Sequence, residues 1–354
     1  MSAPIPTFQR ETFELSRLME FFSEKELTAQ IGFSQPDWPV ALLKELLDNA
    51  LDACESANIA PAITVELHDD ALVVADNGPG LPLTVIERSL DYDVRVSDKT
   101  GYISPSRGQQ GNALKTLWAA PFVATGIGQI EVETGGDCRE ILVTLDRIAQ
   151  HPIIKLTRSR ASDVKTGTKI TLYWRGIAST LALELRHSFY TMLYGFVDLN
   201  PHLSLSFRTA VCERKFTATD PTWNRWSPHE ATAPHWYQPE HLRNLIAMKL
   251  SNEQKGGDAK TTNQFVREFR GLSGTGKAKT VARAAELTDT LLHDLVESRD
   301  LNMSRIERLL LAMQEAARPV DPKLLGVLGQ AHCTRALEGY GAQGVQYKIC
   351  LLYT

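Results

Sequence analysis

The chain has 354 residues, 43% of them hydrophobic and 23% charged, with a formal net charge of −4. That length suggests two domains with a fragment of a third, and the mild acidity excludes a generally basic surface, leaving only local patches for nucleic acid. No apolar run approaches the roughly 20 residues of a membrane span, the N-terminus lacks a signal-peptide core, and the five dispersed cysteines show no zinc or redox spacing. A cytoplasmic protein with reduced thiols is expected, with no membrane partner.

In chain order, "SRLMEFFSEKELTAQIG" is predicted to be helical, and "QPDWPV" interrupts it, with Pro39 opening the next helix. In that helix, "LLKELLDNALDACE", Leu43, Leu46, Leu47, Ala50 and Cys54 form a core-facing stripe. Glu45, Asn49 and Asp52 fall at i, i+4 and i+7 on the other side, with Asp48 beside them and only Lys44 to balance them. Such a stripe is either a solvated face or a site. "AITVELHDDALVVAD" predicts a β-hairpin around Asp69 and Asp70, and a helix follows from about Leu83 to Tyr92. A polar loop leads into the helical "ALKTLWAA". Strands are predicted at "QIEVETG", "REILVTL", "IIKLTRS", "GTKITLYW" and "LSLSFR", the last preceded by one helix around "LALELRHSFYTMLYGFV". The pattern reads as an α+β sandwich, one sheet with helices on a single face. It is expected to span residues 1–212, followed by a Pro- and Trp-rich linker at 213–237 and helical periodicity over 238–338.

Three stretches carry chemistry. Asp76 ends the hydrophobic "ALVVAD" and is followed by Asn77, Gly78, Pro79 and Gly80. A strand-end carboxylate accepts a hydrogen bond from an exocyclic amine such as that of adenine, and glycines let the backbone come close to a flat group; the same composition also makes ordinary turns. "SRGQQGNALKTL" runs from a glycine-rich loop into a helix start, which offers free N–H groups and a positive dipole end to phosphates, with Lys115 as an added point charge. The alternative is a surface loop with a helix cap. In "TGTKITL", Thr168 opens a strand and would place a hydroxyl on a terminal phosphate.

The order of these pieces resembles the Bergerat-fold ATPases of the GHKL group. The resemblance implies an ATP site in which Glu45 is the general base for the attacking water and Asn49 holds Mg²⁺ against the phosphates. It implies that Asp76 reads adenine and that Gly78 and Gly80 admit base and ribose. It further implies nucleotide contacts from Ser97, Lys99, Gly108, Gln109, Gln110, Gly111, Asn112, Ala113, Leu114, Lys115 and Thr168.

Within the group, "SRLMEFFSEKEL", "ADNGPGLP" and "RGQQGNALK" resemble the B subunits of topoisomerase VI, of type IIB. Beyond the linker, "APHWYQPEHLRNLI", "FVREFRGLSGTGKAKTVARAAEL" and "PVDPKLLGVLGQAHCTRALEGYG" resemble that family's helix–two-turns–helix domain, in the same order. This implies an ATP-driven dimer gate for strand passage, DNA as a partner, and a separate A-type cleavage subunit in a heterotetramer. In a prokaryote it implies a nucleoid-associated location. Two departures stand out. Ala113 replaces a glycine of the family lid, and "VQYKICLLYT" reads as the start of a truncated transducer domain over 339–354. The rival reading is an ATP-gated DNA clamp or defence-type ATPase with no cleavage subunit.

"GLSGTGKA", Gly271 to Ala278, nearly spells a phosphate-binding P-loop, but Ala278 lacks the hydroxyl that would hold Mg²⁺. Lys277 and Lys279 near that helix start either face DNA phosphates or are plain surface charge. His151, His202, His229 and His235 show no metal spacing and read as structural.

Overall fold

The computed structural model describes residues 21–92, 102–103, 113–146, 151–227, 230–297 and 300–348. Ser23 caps α1 (Glu24–Ile31) by accepting the Glu26 N–H at 3.3 Å, and Gly32 at φ 79° ends it. α1 covers the second half of the first predicted helix; residues 1–20 lie outside the described ones.

α2 (Trp38–Ser56) carries Pro39 in its first turn, where the missing N–H costs nothing. Trp38 is buried with its indole N–H on the Phe33 carbonyl at 3.0 Å. The whole predicted stripe of Leu43, Leu46, Leu47, Ala50 and Cys54 is buried, joined by Leu42 and Leu51. Truncating any one of these leucines to alanine should cost about 2–5 kcal/mol.

β1 (Ala62–His68) and β2 (Ala71–Ala75) form the expected hairpin, with Leu67 opposite Leu72. α3 (Leu83–Ser89) is shorter than expected: it stops three residues before Tyr92, whose ring turns into the core. Then come α4 (Ala113–Thr125), β3 (Gly128–Thr134), β4 (Asp137–Asp146), β5 (His151–Ala161) and β6 (Thr168–Tyr173). The single helix predicted before β7 is instead broken into α5 (Ile177–Ser179), a wide turn over 180–184, and α6 (Arg186–Leu199). In the wide turn the Leu185 N–H reaches back five residues to the Thr180 carbonyl, so Leu181 stays in the core while Leu183 is exposed.

β7 (Ser204–Arg208) pairs parallel to β1, and β8 (Glu213–Phe216) pairs antiparallel to β7. β8 falls in the stretch read as linker, so the sheet extends past the boundary set at residue 212. The strand order is β5-β4-β3-β6-β2-β1-β7-β8 among the described residues. Helices α2, α4 and α6 pack on the sheet around one core that includes Val65, Leu72, Trp118, Ile130, Leu172 and Phe207.

A second, separate core is built by α7 (Pro239–Gln254), α8 (Thr262–Val266), α9 (Thr275–Ala284) and α10 (Met303–Ala316). One two-residue ladder, β9 (Val296–Glu297) with β10 (Asp300–Leu301), interrupts its helices. α11 (Gln330–Gly339) leaves this core and lies on α6. The His332 ring bonds Thr219 Oγ1 at 2.6 Å and the Asp198 carbonyl at 2.7 Å, and the Tyr340 hydroxyl donates to Asp198 Oδ2 at 2.7 Å. Residues 345–348 have no regular structure and 349–354, the end of the stretch read as a transducer start, lie outside the described ones. Among the described residues, no helix is long and apolar enough to cross a membrane.

Candidate functional site

The site is built from one side of α2 and the loop that leaves β2. Asp76 follows directly on β2, and its main chain is locked to the strand beside it: the Asp76 N–H donates to the Thr168 carbonyl at 2.9 Å. One carboxylate oxygen, Oδ1, accepts the Gly78 N–H at 2.8 Å and the Thr168 N–H at 3.2 Å. Oδ2 has no partner among the described residues. Burial pushes the Asp76 carboxyl up, against the pull of those two backbone donors.

The loop after Asp76 packs on α2 at close range. A Cβ on Gly78 would stand 2.9 Å from Asp76 Oδ1, 3.4 Å from Cys54 Sγ and 3.5 Å from the Ala53 methyl. Gly80, at φ 91°, would put a Cβ 2.7 Å from Thr134 Oγ1. Asn77 pins the loop to the start of β1, its side-chain oxygen accepting the Ala62 N–H at 2.8 Å and its amide donating to the Ala60 carbonyl at 3.1 Å. Thr134 ties the two glycine turns together: its hydroxyl accepts the Leu81 N–H at 3.1 Å and donates to the Gly167 carbonyl at 3.2 Å.

From Ala53, Asn49 and Glu45 follow one and two turns back along the same face, so the stripe runs for about 12 Å away from the loop. It is not a freely solvated face. Asp48 is buried at 6% exposure, accepting the Lys44 ammonium at 2.7 Å. The Glu45 side chain is one-third exposed and 3.6 Å from the same ammonium. Burial raises the Glu45 carboxyl above the ordinary glutamate value; Lys44 opposes the rise, and the charges of Asp48 and Asp52 add to it. The Asn49 amide nitrogen is buried without a hydrogen-bond partner. Buried amides are normally paired, which marks this one as unusual in the stripe.

Two residues predicted to meet phosphates have partners within the fold. Thr168 stands beside Asp76, its N–H on Asp76 Oδ1 at 3.2 Å. The cause is the β2–β6 pairing, which sets Ala75 opposite Lys169 and leaves Thr168 against Asp76. Lys115 is buried rather than poised at the phosphates. Its ammonium donates to the Asp91 carbonyl at 2.6 Å and lies 5.5 and 5.9 Å from the Tyr92 and Phe21 ring centres. Ala113 and Leu114 are half-buried at the opening of α4. Ser97, Lys99, Gly108, Gln109, Gln110, Gly111 and Asn112 lie outside the described residues, as does His229.

Sequence reasoning missed Lys44, Asn77, Thr134 and Gly167 as parts of the site. Gly167 carried a signal, as a glycine immediately before a strand; Thr134 carried none, since it meets the loop only through the sheet. The near-P-loop is settled by packing: Ala278 is fully buried in the helical core, while Lys277 and Lys279 are exposed.

Residues 34–175 match the model of the histidine kinase-, DNA gyrase B- and HSP90-like ATPase family, a span that contains every described residue of this site. The B subunit of type 2 DNA topoisomerase 6 from Archaeoglobus fulgidus is 31% identical over 199 residues, covering 53% of this chain and 32% of that protein. The protein of the same name from Methanosarcina mazei is 32% identical over 266 residues, covering 71% of this chain and 40% of that protein. The chain is similar to the topoisomerase 6 B subunits over these spans. It spans about a third of the length of the topoisomerase 6 relatives first matched, at 32% and 34%. Among solved structures, the Aquifex aeolicus MutL ATPase domain with ADP overlays 59% of this chain and 68% of its own, at 14% identity and TM-score 0.33.

Proposed function

We propose that the chain is the ATP-binding and hydrolysing part of the B subunit of a type IIB topoisomerase. The observation that carries the reading is Asp76: a half-buried carboxylate whose Oδ1 is held by two backbone N–H groups and whose Oδ2 has no hydrogen-bond partner among the described residues. Adenine offers its exocyclic amine to Oδ2, and Gly78 and Gly80 leave room for the flat base. Glu45 orients and deprotonates the attacking water, a role its raised pKa favours by bringing the base closer to working pH. Asn49 supplies the uncharged oxygen for Mg²⁺, one turn along the same face of α2 from Glu45. When bound, Mg²⁺ neutralises phosphate charge. Nucleotide contacts are further assigned to Ala113 and Leu114 at the opening of α4, and to Ser97, Lys99 and Gly108 to Asn112. Lys115 serves this end only by fixing the first turns of α4.

The wider machine is part of the proposal. ATP pairs two copies of the chain into a gate. The helical residues 238–338 act as a helix–two-turns–helix domain that meets DNA through Lys277 and Lys279, and 339–354 begin a transducer domain. A separate A-type subunit cleaves DNA in the heterotetramer, in the cytoplasm. The name shared by the relatives, which makes each of them the B component of a type 2 DNA topoisomerase 6, supports this part.

Calorimetric titration of the protein with ATP–Mg²⁺ and with GTP–Mg²⁺ tests the nucleotide reading. ATP should bind and GTP should not, because guanine presents a carbonyl oxygen to the Asp76 carboxylate. Equal binding of the two, or none of either, overturns it.

A further inference from the structure

Glu133 and Thr134 are neighbours on β3, so their side chains leave opposite faces of the sheet. Thr134, opposite Thr168 on β6, reaches the loop after Asp76 and the Gly167 carbonyl. Glu133 points the other way, yet its side chain is only 8% exposed. Its Oε1 takes the ammonium of Lys169, its register partner on β6, at 2.9 Å. Its Oε2 accepts the Ser162 hydroxyl at 2.6 Å and has the Arg160 guanidinium 3.6 Å away. Burial works against this charge, but Ser162, Lys169 and Arg160 together hold the carboxyl below the usual glutamate range.

Ser162 carries the contact towards the site. It is buried, and its hydroxyl oxygen also accepts the Val164 N–H at 3.0 Å. The Ser162 N–H donates to the Gly136 carbonyl and the Gly136 N–H to the Val164 carbonyl, both at 2.8 Å. These bonds fold the β5–β6 connection back onto the β3–β4 turn. Three residues beyond Val164, Gly167 packs on the Asp76 main chain, and the Thr168 N–H meets Asp76 Oδ1 at 3.2 Å. The pairing of β6 with β3 begins only at Thr168, so the ladder does not guide the residues before it. Adjacent residues of β3 fasten them instead, Glu133 at Ser162 and Thr134 at Gly167. Charge-assisted bonds shielded from water are about twice as strong as neutral ones, so the Glu133 end fixes where the connection starts.

Resting on the ATP reading of the site, we infer that Glu133 is a positioning residue for adenine recognition. From the opposite face of the sheet, through Ser162 and the 162–167 connection, it fixes the Asp76 carboxylate that meets the adenine amine. Glu133 itself touches no nucleotide.

The experiment compares wild type, Glu133→Gln and Ser162→Ala, each confirmed folded by its thermal transition. Ser162→Ala spares the Glu133–Lys169 pair and stands as the test should Glu133→Gln fail to fold. Dissociation constants are measured by calorimetry for ATP–Mg²⁺ and for purine riboside triphosphate–Mg²⁺, which lacks only the exocyclic amine. Wild type should favour ATP about tenfold or more, the usual worth of a hydrogen bond to a charged group. In the variants that preference should shrink by about fivefold or more, the lower end of ordinary coupling between linked sites. The change should come from weaker ATP binding, with purine riboside triphosphate unaffected. A purely structural role would weaken both nucleotides alike or neither. An unchanged preference in a folded variant therefore overturns the inference and leaves the nucleotide site standing. Wild type with no preference for ATP, or with no binding, overturns the ATP reading and this inference with it.

Discussion

Gly167 and Asp76 are packed backbone to backbone: a Cβ on Gly167 would overlap the Asp76 carbonyl oxygen, and Gly167 itself sits at φ 78°. The turn before β6 is thus the wall that holds the strand-end carboxylate in place. Gly167→Ala should cost about 1–3 kcal/mol for the backbone conformation alone, and more for the overlap. Denaturant unfolding measures the loss, and nucleotide affinity should fall with it as Asp76 is displaced.

Asp76→Asn separates the roles of the two carboxylate oxygens. The asparagine oxygen can keep the bonds from Gly78 and Thr168, so the fold should survive. Its NH₂ then replaces Oδ2 and points a donor at a donor on adenine, leaving both unsatisfied. Calorimetry should show ATP binding abolished with an unfolding midpoint close to that of wild type.

Lys44 bears on how Glu45 titrates. Glu45 is raised by burial, and the Lys44 charge is what opposes that rise. Replacing Lys44 with Met should therefore push Glu45 further up. A base is lost as pH falls through its pKa, so the acidic limb of the turnover profile should move to higher pH in Lys44→Met. An unmoved limb, measured from pH 5 to 9, would remove Glu45 from the role of titrating base.

Much of this was readable in the sequence, and the rest has physical causes. The leucine stripe of α2, the β1–β2 hairpin and the strand-end Asp76 follow from local periodicity, which one segment carries by itself. The place of Thr168 beside Asp76 depends on β6 pairing with β2 across 92 residues, which no local pattern carries. Lys115 was misread because a lysine near a glycine-rich loop suggests phosphate; only the packed Phe21 and Tyr92 rings and the Asp91 carbonyl show it turned inward. β8 was taken for linker because its edge strand "ERKF" has no apolar alternation. The Tyr102 hydroxyl donates to Glu268 across 166 residues, beyond the reach of any local pattern.

Exposed Lys277 and Lys279 are the basic pair proposed to meet DNA at the opening of α9. Changing both to Glu should weaken duplex binding uniformly across sequences and reduce its salt dependence, since only phosphate contacts are lost. Fluorescence anisotropy between 50 and 200 mM salt measures it. An unchanged affinity and slope would take this end of α9 off the DNA path.

Hydrolysis of ATP at the α2 stripe depends on Glu45, and Glu45→Gln isolates its role. Glutamine keeps the shape and the hydrogen bond to water but cannot take its proton. Single-turnover hydrolysis of ATP–Mg²⁺ by this variant should be slower by about 10²-fold or more, with the ATP dissociation constant unchanged. Hydrolysis within a few fold of wild type at equal occupancy would contradict the claim.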